Sequence, residues 1–228
     1  MLQFFIKNKW RILFMFVLCS AILASFQYAL TPEKTLPILQ PDQFDPSLVD
    51  DSMLFVKKYH KIAPFELVNQ NADTITQDDY TGKIYVADFF FTTCPTICPV
   101  MTKNMMLVQE AFKNDPEVLI LSHSVTPELD SVAVLKKYAV KKGVMDSKWN
   151  LVTGDRKQIY DLARKSYLAA KENKYGGEYA LIHTENFLLV DKEGRLRGRS
   201  YDGTDPEDVK KLIEDIYILK ESYKKQEQ

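Results

Sequence analysis

The chain has 228 residues, 46% hydrophobic and 27% charged, which is typical of a folded globular chain and excludes wholesale disorder or a fibrous repeat. Its 30 basic and 31 acidic residues leave a net charge of −1, so the chain as a whole lacks the basic character of a nucleic-acid-binding protein. The three cysteines are too few for a disulfide scaffold, and any pair among them has to be interpreted from its local sequence.

The N-terminus carries a basic flank followed by an apolar stretch. Lys7, Lys9 and Arg11 precede an uncharged run over 12–32, and its apolar part, 12–30, is long enough to cross a hydrocarbon core of about 30 Å. Acidic residues predominate after this run, so the positive-inside rule places residues 1–11 in the cytoplasm and the rest outside. We therefore predict a single-pass anchor in the cell inner membrane, with a domain that is periplasmic if the cell is Gram-negative.

A cleaved signal peptide is the alternative interpretation of this stretch. The segment Gln27-Tyr28-Ala29 has a large residue where a cleavage site requires a small one, and Leu18 is bulky for a lipidation site at Cys19. We expect a retained anchor with Cys19 as a small apolar residue in the lipid. Without the three basic flank residues, 27 basic residues remain against 31 acidic ones, a net charge of −4, which disfavours a nucleic-acid partner for the exported part.

The exported part begins with a proline-containing segment and continues into a regular α/β pattern. Residues 31–60 show no periodicity, which predicts an extended tether before a domain over 61–228. Helices are predicted through Met101–Phe112, from Thr126 to Gly143, after Asp155 and after Asp205. Strands are predicted over 65–68, 73–76, 83–91, 118–125, 149–152, 187–190 and 196–201. This order predicts a mixed central sheet with helices on both faces, compatible with a thioredoxin-like fold.

Two cysteines follow the central strand directly, in the sequence Cys94-Pro95-Thr96-Ile97-Cys98-Pro99. Open α/β sheets place their reactive groups at this edge, and a helix N-terminus stabilises thiolates. Pro99 cannot lie deep inside a helix, so we expect the helix to begin near residues 96–98, with Cys94 on the preceding loop. The two thiols predict either a redox dithiol or a soft metal site that favours Cu(I) over Zn(II).

A third ligand would favour the metal site, and the chain contains only three histidines, His60, His123 and His183. His183 precedes the strand at 187–190, in the loop that faces the cysteines of a thioredoxin-like fold, and we predict that it is a ligand. His60 and His123 are predicted to be structural. Met101 and Met105 lie on one apolar helix face, which indicates core packing rather than a thioether site.

Four segments together resemble the Sco/SenC family of copper-binding proteins: DFFFTTCPTICPVM, SVTPELDSVAVLKKYA, WNLVTGD and IHTENFLLVDKEGRLRG. The resemblance spans about 65–217. It implies a thioredoxin-like fold and copper bound by Cys94, Cys98 and His183. It also implies a role in assembling the binuclear copper centre of cytochrome c oxidase, as a copper donor or as a thiol reductant of the oxidase subunit.

Two positions depart from the pattern of many family members. Ile182 stands where they have Asp before the histidine, which leaves the partner of His183 to Glu178 or Glu185. Thr126 and Leu129 stand where they have Asp and Arg in the sequence Ser-Val-Asp-Pro-x-Arg-Asp. The second departure removes a charged pair near the site, and neither one touches a predicted ligand.

These observations favour a membrane-anchored copper chaperone, not an enzyme, that holds Cu(I) and also accommodates Cu(II). Its expected partners are the copper-bearing subunit of cytochrome c oxidase and a reducing thiol protein, because a disulfide between Cys94 and Cys98 would abolish metal affinity. The main alternative is a thiol-disulfide oxidoreductase that uses the cysteine pair catalytically and does not need His183. A domain that only senses copper or redox state is a third interpretation.

Overall fold

The computed structural model describes residues 8–30, 35–43, 49–50, 52–169, 182 and 184–226. The chain divides into two compact units, Met1–Thr35 and Leu36–Gln228. Within the described part of the first unit, helix α1 runs from Lys9 to Leu30. It contains the one described helix that is long and apolar enough to cross a membrane, over Lys9–Gln27, with a mean hydropathy of 1.7.

The second unit is built on a seven-stranded sheet in the order β2-β1-β5-β4-β3-β6-β7. Strand β3 pairs in parallel with β4, and β4 pairs in parallel with β5, while the remaining neighbours are antiparallel. The mixed sheet of the prediction is therefore confirmed. The strands are β1 Glu66–Asn69, β2 Thr74–Thr76, β3 Ile84–Phe90, β4 Val118–Ser124, β5 Trp149–Thr153, β6 Asn186–Val190 and β7 Leu196–Asp202.

Helices cover both faces of this sheet, as predicted, and bury every residue of β3. Helices α2 (Ile97–Phe112), α3 (Val132–Lys142) and α5 (Pro206–Gln226) share a core with Ile84, Val86 and Phe90. The opposite face, with Tyr85, Ala87 and Phe89, packs on α4 (Arg156–Asp161), which continues into a π-helical turn over Leu162–Ser166. Burial on both sides explains why the β3 sequence is almost continuously apolar.

Helix α3 begins later than the sequence predicted. The predicted start at Thr126 is wrong, because the helix begins at Val132 after an N-cap at Ser131. The preceding residues form a single turn in which the Asp130 backbone N–H donates to the carbonyl of Thr126 at 2.9 Å. The Asp130 side chain accepts hydrogen bonds from Thr92, Ser124 and Thr126, all of which lie outside α3. The predicted stop is confirmed, since Gly143 adopts a left-handed φ of 78° that favours glycine.

Several described residues of the predicted tether pack against the domain. Leu39 donates its backbone N–H to Leu196 at 2.9 Å, and Gly198 donates to Pro37 at 3.0 Å, so this segment covers the open edge of β7. Val49 is completely buried in the core. The second compact unit accordingly begins at Leu36, whereas the sequence placed the start of the domain at residue 61.

Candidate metal centre

The cysteine motif lies at the junction between β3 and α2. Helix α2 begins at Ile97 after an N-cap at Thr96, as the sequence predicted, so Cys94 lies on the loop and Cys98 in the first helical turn. Pro99 is also in the first turn, where a backbone N–H has no partner within the helix and its absence costs nothing. The two prolines therefore allow the chain to turn sharply from strand to helix with a cysteine on each side of the turn.

The Cys94 sulfur serves as an acceptor for the start of α2. The Cys98 backbone N–H donates to Cys94 Sγ at 3.5 Å, while the N-cap residue Thr96 makes no side-chain cap hydrogen bond. The Thr96 hydroxyl instead lies 3.9 Å from the same sulfur. Both cysteines are free thiols, and the helix dipole favours negative charge on the sulfur at this position.

The two thiols differ strongly in acidity. Burial raises the pKa of Cys94, but hydrogen bonds from the backbone and side chains of Cys98 and Thr96 outweigh burial and lower this pKa to about 7. Burial raises the pKa of Cys98 to about 12, and the charges of Cys94 and Asp88 act in the same direction. At neutral pH the site therefore has one thiol that ionises readily and one that stays protonated until a partner displaces its proton.

Asp88 is a buried carboxyl group on the same face of β3 as Ile84, Val86 and Phe90, which share a core with the two cysteines. Its hydrogen-bond donor is the Ser122 hydroxyl, which in turn accepts from Trp149 Nε1 at 2.8 Å. Burial raises the pKa of Asp88 to about 7, and the bond from Ser122 offsets burial only in part. Asp88 therefore titrates in the same pH range as Cys94.

The loop before Cys94 is fixed by a second buried carboxylate, Asp130. Thr92 donates to it from its backbone N–H at 3.2 Å and from its hydroxyl at 2.5 Å. Ser124 and Thr126 donate to the same group at 2.6 Å and 3.1 Å. This network joins the C-terminal ends of β3 and β4 directly beside the thiols.

His183 lies outside the described residues, and Ile182 and Thr184 on either side of it are both buried. Strand β6 runs antiparallel to β3, with Leu188 opposite Ala87, so Asn186 at its start lies at the sheet edge where β3 ends. Among the described residues, no cluster of three or more His, Cys, Asp or Glu side chains could hold a metal.

The structural roles predicted for the remaining histidines and methionines are confirmed. One ring nitrogen of His60 lies 2.7 Å from the carbonyl of Ser166. The His123 ring stacks on Phe89 with 4.8 Å between ring centroids, on the sheet face opposite the cysteines. Met101 and Met105 are 1% and 0% exposed, within the core under α2.

Asp88 and Asp130 are the residues near the site that the sequence analysis missed. A sequence signal exists for Asp88, because it is the one charged residue within the apolar run 84–91. A charge in a strand that is buried on both faces requires a specific reason. Asp130 matches the final Asp of the family sequence Ser-Val-Asp-Pro-x-Arg-Asp, but the sequence Thr126-Pro127-Glu128 before it is also a good helix start, and that interpretation was preferred.

Comparison with known proteins supports a family assignment. The family model described as SCO1/SenC matches residues 56–217, more than half of the chain. This chain belongs to the SCO1/SenC family. It is 33% identical over 159 residues to the SCO1 protein homolog of Bacillus subtilis (strain 168), an alignment that covers 69% of this chain and 81% of that protein.

Solved structures agree with this assignment. BsSco, described as a member of the Sco family of cytochrome c oxidase assembly proteins with a disulfide switch, has a TM-score of 0.60 and 32% identity, covering 69% of this chain and 92% of BsSco. ScoI of Bradyrhizobium japonicum, solved with copper bound, has a TM-score of 0.54 and 28% identity, covering 68% and 98%. The thioredoxin-like Sco fold of this chain is thereby confirmed.

Proposed function

We propose that this protein is a membrane-anchored copper chaperone that binds Cu(I) or Cu(II) through Cys94, Cys98 and His183. The observation that carries the proposal is the pair of free thiols at the N-terminus of α2, in a family with copper-bound members. Thiolates are soft ligands that suit Cu(I), and imidazole suits copper in either oxidation state. Cys94 is available as a thiolate near neutral pH, and metal binding would displace the proton of Cys98.

The cargo would be delivered to the copper-bearing subunit of cytochrome c oxidase. Support comes from BsSco, whose family is described as cytochrome c oxidase assembly proteins. Helix α1 would anchor the chain in the inner membrane with its basic flank in the cytoplasm, which holds the domain on the side where exported thiols tend to oxidise. A reducing thiol partner would then be needed to keep Cys94 and Cys98 ready for copper.

The unequal acidity of the two thiols also favours a second function, reduction of a disulfide in an exported partner. The Cys94 thiolate would attack one sulfur of that disulfide, form a mixed disulfide and release one partner thiolate. Cys98 would lose its proton and attack Cys94, which releases the second partner thiolate. The partner is thereby reduced by two electrons and the Cys94–Cys98 pair is oxidised, so an external thiol reductant has to reset it.

An anaerobic Cu(I) titration of the full chain in detergent, in competition with a chromogenic chelator, tests the copper proposal. We expect one tightly held copper per chain, weakened more than 100-fold by Cys94→Ser, Cys98→Ser or His183→Ala, since loss even of a supporting residue costs 10–100-fold. Cys19→Ser, which removes the thiol in α1, is the matched control and should bind like the wild type. If His183→Ala binds copper as tightly as the wild type, the site is a dithiolate without a histidine ligand. If the wild type shows no tight binding, the reductase function is favoured.

A further inference from the structure

Asp130 is a completely buried carboxylate whose neighbours all belong to the loops around the cysteine site. Its Oδ1 accepts the Thr92 hydroxyl, and its Oδ2 accepts the Thr92 backbone N–H and the hydroxyls of Ser124 and Thr126. In the part of the chain that the structure describes, Asp130 forms no ion pair. A carboxylate away from water needs several donors to be stable, and this one obtains four from neutral groups.

These donors connect three pieces of backbone. Thr92 follows the end of β3 and stands two residues before Cys94, while Ser124 is the last residue of β4. Thr126 lies in the turn that leads to Asp130, and its backbone N–H donates to the Ser124 hydroxyl at 3.2 Å. Holding Thr92 by two bonds fixes the backbone at the point from which the Cys94 loop departs.

Thr126 contributes a neutral hydrogen-bond donor to this network. Its hydroxyl donates to Asp130 at 3.1 Å, whereas a second carboxylate at this distance would repel the first unless a cation lay close by. Leu129, also in this turn, is 62% exposed and supplies no cation. Many family members have Asp at position 126 and Arg at position 129. The two differences in this chain are therefore consistent with one another, because the neutral hydroxyl of Thr126 removes the need for a positive charge at position 129.

We propose that Asp130 is the positioning residue of the thiol site, holding Thr92 so that Cys94 Sγ stays in reach of the Cys98 backbone N–H. The inference deepens the proposed function, which it assumes, but the arrangement acts on the thiols whether or not copper is bound. Loss of this hold would let the loop move and take Cys94 Sγ out of reach of the Cys98 backbone N–H.

The test compares Thr92→Val, which removes one donor to Asp130 without changing side-chain size, with Thr92→Ser, which keeps the donor. The readout is the rate at which iodoacetamide alkylates Cys94 in the copper-free full chain at pH 7. We expect Thr92→Val to slow alkylation about tenfold, as for the loss of one hydrogen bond to a charged group, and Thr92→Ser to stay within about twofold of the wild type. Thr76→Val is the control, because it removes a threonine bond to Asp79 at 3.0 Å at the far edge of the sheet.

Equal rates for Thr92→Val and wild type, or equal slowing by Thr92→Ser, would overturn the proposal. Should Thr92→Val fail to fold, Thr126→Val against Thr126→Ser makes the same comparison through a second donor. The Cu(I) titration of the same variants separates this inference from the proposed function. A wild type without tight copper binding would refute the chaperone, while a slowed Thr92→Val thiol would still support the role of Asp130.

Discussion

The environment of each thiol makes the two cysteines chemically unequal although only three residues separate them. Both cysteines are buried, with Cys94 8% and Cys98 3% exposed, but the Cys94 sulfur receives hydrogen bonds at the helix N-terminus. With pKa values of about 7 and about 12, only Cys94 provides a substantial thiolate population at neutral pH. Cys94 is thus the thiol that would react first with a partner or a metal.

Limited alkylation should reveal this difference. In a Cys19→Ser background at pH 7, we expect iodoacetamide to modify Cys94 at least about tenfold faster than Cys98, as followed by peptide mass spectrometry. Between pH 6 and pH 8 the Cys94 rate should rise only about tenfold, whereas a thiol of ordinary pKa would gain on the order of 75-fold. Similar rates for both cysteines, or a steep Cys94 profile, would contradict the assigned acidities.

How much of the site could be predicted from sequence depends on how far apart its parts lie in the chain. The start of α2 and the position of Cys94 on the preceding loop are encoded within a few residues, and those two predictions are confirmed. The contacts of Asp130 join positions 92, 124, 126 and 130, and the contact with Thr92 exists only because β3 and β4 are neighbours in the sheet. Pairing of this kind cannot be read from local propensity.

At the scale of a single element, β3 carries a buried acid within its apolar sequence. Because burial raises the pKa of Asp88 to about 7 from an ordinary 3.8, the unfolded chain releases this proton at lower pH than the folded chain does. Stability from this group is complete below about pH 4 and is lost as the pH rises to 7. His123 on β4 has the opposite effect, because burial lowers its pKa to about 4, so protonation of the unfolded chain costs stability as the pH falls below 6.5.

Asp88→Asn should separate the contribution of Asp88 to the pH dependence of stability from that of His123. The amide oxygen can still accept from Ser122 but carries no charge, so we expect the variant to match the wild type near pH 4 and to exceed its unfolding free energy by up to about 4 kcal/mol at pH 8. Urea denaturation across this pH range measures the difference. Asp146→Asn is the control of opposite sign, since the Lys136 hydrogen bond lowers the pKa of that exposed carboxyl. A variant less stable than wild type at pH 8 would contradict the buried charge.

At the scale of the whole molecule, the folded unit includes chain that composition alone assigned to a tether. Prolines and the absence of periodicity predicted an extended segment over 31–60, and composition cannot show where such a segment packs. Residues 36–39 cover the β7 edge, and Arg197 on β7 donates to the carbonyl of Leu36 at 2.7 Å while pairing with the buried Asp191. Val49 and His60 are buried further along the same segment.

Two fragments of the chain test whether the folded domain begins at residue 36 or at residue 61. A fragment over 36–228 should unfold cooperatively near the temperature of the same domain in the full chain. One over 61–228 loses the buried Val49 and the cover of β7, so we expect it to be less stable by at least about 3 kcal/mol. For a domain of this size the loss corresponds to a melting temperature lower by roughly 6–12 °C, measured by circular dichroism. Equal melting temperatures would support the tether as the sequence predicted it, whereas a large difference means that residues 36–60 are part of the scaffold that supports the thiols.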